Sequence, residues 1–153
     1  MQQLIEAVEA AFARAEAHFG KPFPRPAVTL DLRGRAAGQA HHGKGQLRFN
    51  ASLYRENRAA FLQEVVPHEV VHWLVWHHHD TRCRPHGREW QAMMSQVFGL
   101  APRRTHDFAV REDSFAYRCL CMEHRLTVRR HNKVQRGQAQ YRCKGCGATL
   151  VPA

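Results

Sequence analysis

The sequence predicts an α+β fold in two parts. Helices and a short sheet occupy residues 1–112, and a small cysteine-rich, basic ribbon occupies 113–153. Three features lead there. Apolar residues recur at helical spacing in several segments, alternating stretches lie between the first two of them, and two close cysteine pairs sit near the C-terminus.

Taken in chain order, Leu4, Ile5, Val8, Ala11, Phe12, Ala15 and Phe19 form one helical stripe, and Gly20 ends that helix. Pro22, Pro24 and Pro26 make a stiff connector. Val28 to Leu32 alternates as a strand does. Ala36–His41 and Gln46–Asn50 read as a hairpin around Gly43-Lys44-Gly45. A short helical stretch near Leu53 precedes a long helix from about Arg58 to His77. Pro67 inside that helix removes one backbone donor and should kink or restart it. A further helix runs from about Gly87 to Phe98, with Trp90, Met94 and Val97 toward the core, and stops at Gly99. In the ribbon, Tyr117, Leu126, Val128, Val134, Tyr141 and Leu150 are the apolar partners available to its strands.

The long helix carries His68-Glu69-Val70-Val71-His72, which reads H-E-x-x-H. Positions i and i+4 share a helix face, so two imidazoles there reach one Zn²⁺ at about 2.0–2.1 Å. Glu69 sits beside such a metal and is placed to take a proton from water that zinc has acidified to a pKa near 7. Shuffling a chain with this many His and Glu would produce the motif on the order of once in twenty, so its setting has to decide. That setting is strongly apolar: Phe61 to Val66 precede it and Trp73 to Trp76 follow. Burial of two imidazoles and a carboxylate there is costly without a partner, and a metal satisfies all three.

Catalytic zinc generally has three protein ligands and an open position. His78, Glu89 and His86 are the candidates for the third. Val75 stands where a glycine would turn the chain to aim His78 back, so His78 continues along the helix. Glu89 offers a carboxylate from the next helix. His86 opens that helix after a polar loop, where an imidazole folds back over the first, and it is favoured. The competing explanation for His77, His78 and His79 is a solvated helix end. His106, Arg104 and Tyr54 are candidates to stabilise an oxyanion. An edge strand above the zinc suits docking of an extended peptide, and Gln46–Asn50 is the expected strand.

Five cysteines with four in close pairs favour metal over disulfides in a reducing compartment. Cys143-Lys144-Gly145-Cys146 has knuckle spacing. Cys119-Leu120-Cys121 is one residue short of it, and His124 at knuckle spacing from Cys121 is an alternative to Cys119. Cys119, Cys121, Cys143 and Cys146 are the expected set, because thiolates dominate structural zinc sites. Cys83 reads as a plain thiol. From Tyr117 to Ala153 the chain is below the ~40–60 residues where an apolar core suffices, so zinc is expected there as a staple.

The net charge is +10, unevenly spread: residues 103–153 hold eleven Lys and Arg against four acids. Arg125, Arg129, Arg130, Lys133 and Arg136 lie in a run with no carboxylate. Such a patch suits phosphates, with no sign of base readout, so the expected partner is DNA bound without sequence preference. A solubilising face is the competing explanation. Met1 to Ala10 holds two Glu and no Lys or Arg, unlike a signal peptide, and no stretch is long and apolar enough for a bilayer. A cytoplasmic protein without membrane partners is expected.

Pro67-His68-Glu69-Val70-Val71-His72, then Pro85-His86-Gly87-Arg88-Glu89-Trp90, then Arg103-Arg104-Thr105-His106, resembles the SprT family, which includes the Spartan proteases of eukaryotes. The likeness spans nearly the whole chain. It implies a small zincin-like metalloprotease core followed by a C-terminal zinc ribbon. It further implies His68, His72 and His86 as ligands of a catalytic zinc, Glu69 as the catalytic residue, and action on DNA-associated or DNA-crosslinked proteins, a role in crosslink repair. The expected function is therefore a zinc endopeptidase with one catalytic and one structural zinc. The alternative is a non-catalytic, zinc-dependent nucleic-acid-binding module.

Overall fold

Helix α1, Gln2–Phe19, buries Leu4, Val8, Ala11, Phe12 and Ala15, while Ile5 of the expected stripe stays exposed. Gly20 closes it at φ 67°, a left-handed cap that a side chain would strain, with its N–H donating to the Glu16 carbonyl at 2.8 Å. This computed structural model describes residues 1–79, 82–110 and 113–153. Two compact units result, Met1–Val110 and Arg111–Ala153. The expected junction at residue 112 falls on Arg111 and Glu112, outside the described residues.

In the first unit, strands β1 (Ala27–Leu32), β2 (Gly38–His41) and β3 (Gln46–Asn50) form a sheet in the order β1-β3-β2. β3 pairs antiparallel with β2, as the hairpin pattern predicts, and parallel with β1. A 3₁₀ turn, His42–Lys44, joins β2 to β3 and ends at Gly45 with φ 63°. Leu47 and Phe49 face the core. Buried Asn50 accepts from the Leu53 N–H at 3.2 Å, capping α2 (Ala51–Glu56), and donates to the Gly34 and Ala36 carbonyls.

The long helix is continuous but changes pitch. A turn, α3 (Arg58–Ala60), leads into a π-turn over Phe61–Val65, then α4 (Val66–His78). Pro67 lies in the first turn of α4, where a missing N–H costs least. The wider π-turn before it accommodates the proline ring, which would press on the carbonyl four residues back in a regular helix. Helix α5, Arg88–Phe98, ends on Gly99 at φ 63°. Trp90, Phe12, Phe49, Phe61, Leu47 and Leu74 are among the deepest side chains of this unit.

The second unit has strands β4 (Ser114–Arg118), β5 (Glu123–Thr127) and β6 (Val151–Pro152) in the order β5-β4-β6, antiparallel throughout. Helix α6, Val128–Gln135, follows β5 directly, its start capped by the Thr127 hydroxyl accepting from the Arg130 N–H. This corrects the reading of Val128 and Val134 as strand residues. Arg, Lys and Gln favour a helix after such a cap. Val128 ends up 39% exposed, and Val134 packs on the small core of Tyr117, Leu126, Cys143 and Leu150.

Candidate metal centres and the cleft

α4 presents His68 and His72 one turn apart, and the start of α5 brings His86 over them. Their Nε2 atoms form a near-equilateral triangle: 3.2 Å between His68 and His72, 3.1 Å from His72 to His86, and 3.1 Å from His86 to His68. Three nitrogens around one cation at about 2.0–2.1 Å in tetrahedral array stand ~3.3 Å apart, so the donor set fits zinc. Among the described residues no fourth side chain places a ligand atom in this group.

Electrostatics agree with that fit. Burial, chiefly, with help from neighbouring imidazoles, pulls His72 down to about 3 and His68 to about 4. Burial and then Arg104 lower His86. All three are thereby held neutral near pH 7, the form that ligates metal. Hydrogen bonds from outside the triangle hold the His68 ring and the His86 main chain. The Arg103 main-chain carbonyl hydrogen-bonds the His68 ring, and the Gln91 amide donates to the His86 carbonyl at 2.9 Å. Trp90 lies against all three rings, centroids 4.8, 5.5 and 4.8 Å from those of His68, His72 and His86, and its Nε1–H donates to the His68 carbonyl at 3.3 Å.

Glu69 is buried, with Oε1 4.0 Å from His68 Nε2. Burial pushes its carboxyl up to about 8, opposed by a hydrogen bond from the Ala40 backbone. The site opens into a cleft of about 1120 Å³, walled by β2, α4, His86 and the segment Leu100 to Val110. Arg104 and His106 line it. His106 Nε2 lies 2.8 Å from the Arg35 carbonyl, and its ring stacks on Phe108.

Other expectations are corrected here. β3 is the central strand of its sheet and has no free edge; β2 is the edge strand that borders the cleft. The parallel partner β1 occupies the other side of β3, and local sequence carries no sign of that pairing. Tyr54 is buried against Phe61, centroids 5.3 Å apart, and does not line the cleft. His78 packs on Phe19 and Phe23 instead of joining His68, His72 and His86 or a wholly solvated helix end; His77 and His79 are exposed. Glu89 turns to Arg88, beside the opposite face of α5. Cys83, read as a plain thiol, joins neither ligand group among the described residues and packs against the core, which leaves that reading uncorrected.

In the second unit, Cys119, Cys121, Cys143 and Cys146 converge with all four sulfurs within 4.8 Å of one another. His124 stands outside that set, with Nε2 3.2 Å from Cys119 Sγ. Packed this closely, the thiols compete for protons. Main-chain amides, led by that of Ala148, draw Cys146 down to about 6, while Cys121, donating to Cys119, Cys143 and Cys146, is pushed up to about 12. A bound cation deprotonates such thiols together, so four thiolates fit zinc. Arg125, Arg129, Arg130, Lys133 and Arg136 all lie exposed on β5, on α6 or just beyond it.

The fold and donor sets define a class: a helical, three-imidazole cleft on an α+β frame, with a separate tetracysteine zinc ribbon. The chain belongs to the SprT-like family, whose model matches residues 8–106, and a model of the SprT-like zinc ribbon domain matches 113–153. Relatives each called Protein SprT come from Cronobacter sakazakii, Shewanella oneidensis and Escherichia coli K12. They are 48%, 47% and 46% identical, over 98%, 99% and 98% of this chain and 92%, 99% and 92% of their own lengths. No solved structure matches. Sequence reasoning missed the parts played by Ala40 and the Arg103 carbonyl, since main-chain contacts leave no mark in residue type.

Proposed function

We propose that this chain is a zinc-dependent endopeptidase acting on proteins associated with, or crosslinked to, DNA. The observation that carries the reading is a buried carboxylate, Glu69, set beside three converging imidazoles that find no fourth ligand among the described residues and face an open cleft. A purely structural site needs no base and ordinarily fills its last position. His68, His72 and His86 would hold the zinc, which when bound supplies Lewis acidity to polarise a carbonyl and acidify water.

Glu69 then serves as general base and passes the proton to the leaving amine. That role needs the ionised form. The Ala40 amide favours it, and a dication held by the neighbouring imidazoles acts in the same direction, against burial. The β2 edge offers main-chain groups to an extended substrate. Arg104 is the cleft residue suited to developing negative charge; both ring nitrogens of His106 are engaged, Nε2 with the Arg35 carbonyl and Nδ1 with the Phe108 N–H.

DNA as partner rests on the exposed basic residues of β5 and α6 and on the excess of cations in residues 103–153. Such a surface contacts phosphates without reading bases. Among the described residues no helix is long and apolar enough to cross a membrane, and thiols assigned to zinc belong in a reducing compartment, so the cytoplasm is the proposed location.

The test is cleavage of a DNA-binding protein with and without DNA, across salt, by the zinc-loaded chain and by Glu69→Gln. The chain should cleave, with DNA stimulation that fades as salt rises, while E69Q keeps both zincs and loses at least about 100-fold in rate. Full activity in E69Q would refute the reading. DNA binding with no cleavage under any condition would favour the non-catalytic module.

A further inference from the structure

Gly38 opens strand β2 and pairs with Phe49 of β3. Its φ is not positive, so the backbone itself would accept any residue. Space is what forbids one. A Cβ built at position 38 would stand 2.5 Å from Glu69 Cγ, 2.8 Å from Oε1 and 2.9 Å from Cδ. All three of those nearest atoms belong to a single side chain. The closest is the Cγ methylene, midway along that chain, and not a free end that swings aside. Glu69 is 6% exposed, so solvent offers no retreat. On the same strand two residues on, the Ala40 backbone holds the Glu69 carboxyl by a hydrogen bond.

We infer that Gly38 is a positioning residue for Glu69: the missing side chain is the socket in which the carboxylate is seated, and Ala40 fastens it there. Residue 38 acts through Glu69 and touches no reacting atom. In the endopeptidase reading, on which the kinetic half of this inference rests, a methyl at 38 displaces the base from its proton while leaving the three imidazoles in place.

The experiment is a double-mutant cycle between Gly38→Ala and Glu69→Ala, read in two ways. Stability of the chelator-stripped chain is followed by urea denaturation, and cleavage is followed for the zinc-loaded chain. G38A should lower the urea midpoint in the wild-type background and leave it unchanged or raised in the E69A background, where the colliding Cγ is gone. In cleavage, G38A should reduce kcat about 100-fold with KM little changed and zinc content intact. If G38A shifts the midpoint equally in both backgrounds, or leaves wild-type stability and kcat unchanged, the inference is overturned. A wild-type chain that cleaves nothing defeats the endopeptidase reading alone, since the stability cycle still decides whether position 38 seats Glu69.

Discussion

Replacing Trp90 by Phe should loosen the imidazole cluster without destroying the fold. Trp90 is fully buried, and its ring lies 4.8–5.5 Å from each of the three His rings. Phenylalanine keeps one six-membered ring and loses the remainder together with the donor to the His68 carbonyl. The lost hydrogen bond is worth about 1 kcal/mol. The lost apolar contact and the cavity left behind add about 1–2 kcal/mol. The expected destabilisation is therefore about 2–3 kcal/mol, a large share of the roughly 5–15 kcal/mol that holds a domain together. All three tryptophans, Trp73, Trp76 and Trp90, lie in the first unit, so Trp73 and Trp76 still report its unfolding in the variant. Urea titration of chelator-stripped protein, followed by tryptophan fluorescence, should show the midpoint falling by about 1–2 M. Zinc affinity of the imidazole site should fall about 10–100-fold, since ring orientation is what Trp90 supplies. A loss below about 0.5 kcal/mol with unchanged zinc affinity would refute the claim that this ring packs the three imidazoles.

Three further outcomes are expected. His86→Ala should lower bound zinc from two to one per chain by metal analysis, with the ribbon zinc retained; two zincs in H86A would show that His86 is dispensable. Cys143→Ser should release the ribbon metal and open the basic segment 118–144 to trypsin, while the tryptophan unfolding transition of the first unit stays where it was; a trypsin-resistant C143S ribbon would contradict stapling by zinc. Glu16, held at about 2 chiefly by Arg25 and then by the Phe23 amide, gives a pH signature. Its carboxylate stabilises the fold fully above its ordinary value of 4.5, and that contribution disappears as pH falls toward 2. The midpoint gap between wild type and Glu16→Gln, measured on metal-free protein, should be constant from about pH 7 to 5 and close below that; a gap that persists at about pH 2 would contradict the assignment.

What was legible in the sequence follows from the range of the forces involved. α1, α4 and α5 announce themselves by apolar period, and Gly20 and Gly99 stop their helices as expected, because period and cap are local. The approach of His86 to His68 and His72 was readable for a similar reason: a histidine at the start of the next helix, after a loop, folds back over the one before. The sheet order was not readable. Pairing of β1 with β3 depends on contacts distant in sequence, and that pairing moved the free edge from β3 to β2. α6 was obscured because Val128 and Val134 suit strands by composition, whereas the Thr127 cap decides otherwise. At Gly38 the sequence offers only a glycine in a strand, and the reason for it lies in a carboxylate thirty-one residues away.

The five-residue turn ahead of Pro67 amounts to an α-helix with one surplus residue wound into it. Removing one residue and rewinding the stretch as a regular α-helix would leave the residues upstream nearly in phase, because the wide turn already absorbs the ~100° that a surplus residue adds. Phe61, wedged between Phe49, Tyr54 and Phe108, would keep its side of the helix and stay close to that aromatic nest if the residue lost lay after it. The surplus residue therefore serves the proline and not the faces upstream, and a chain lacking it should fit Pro67 less well.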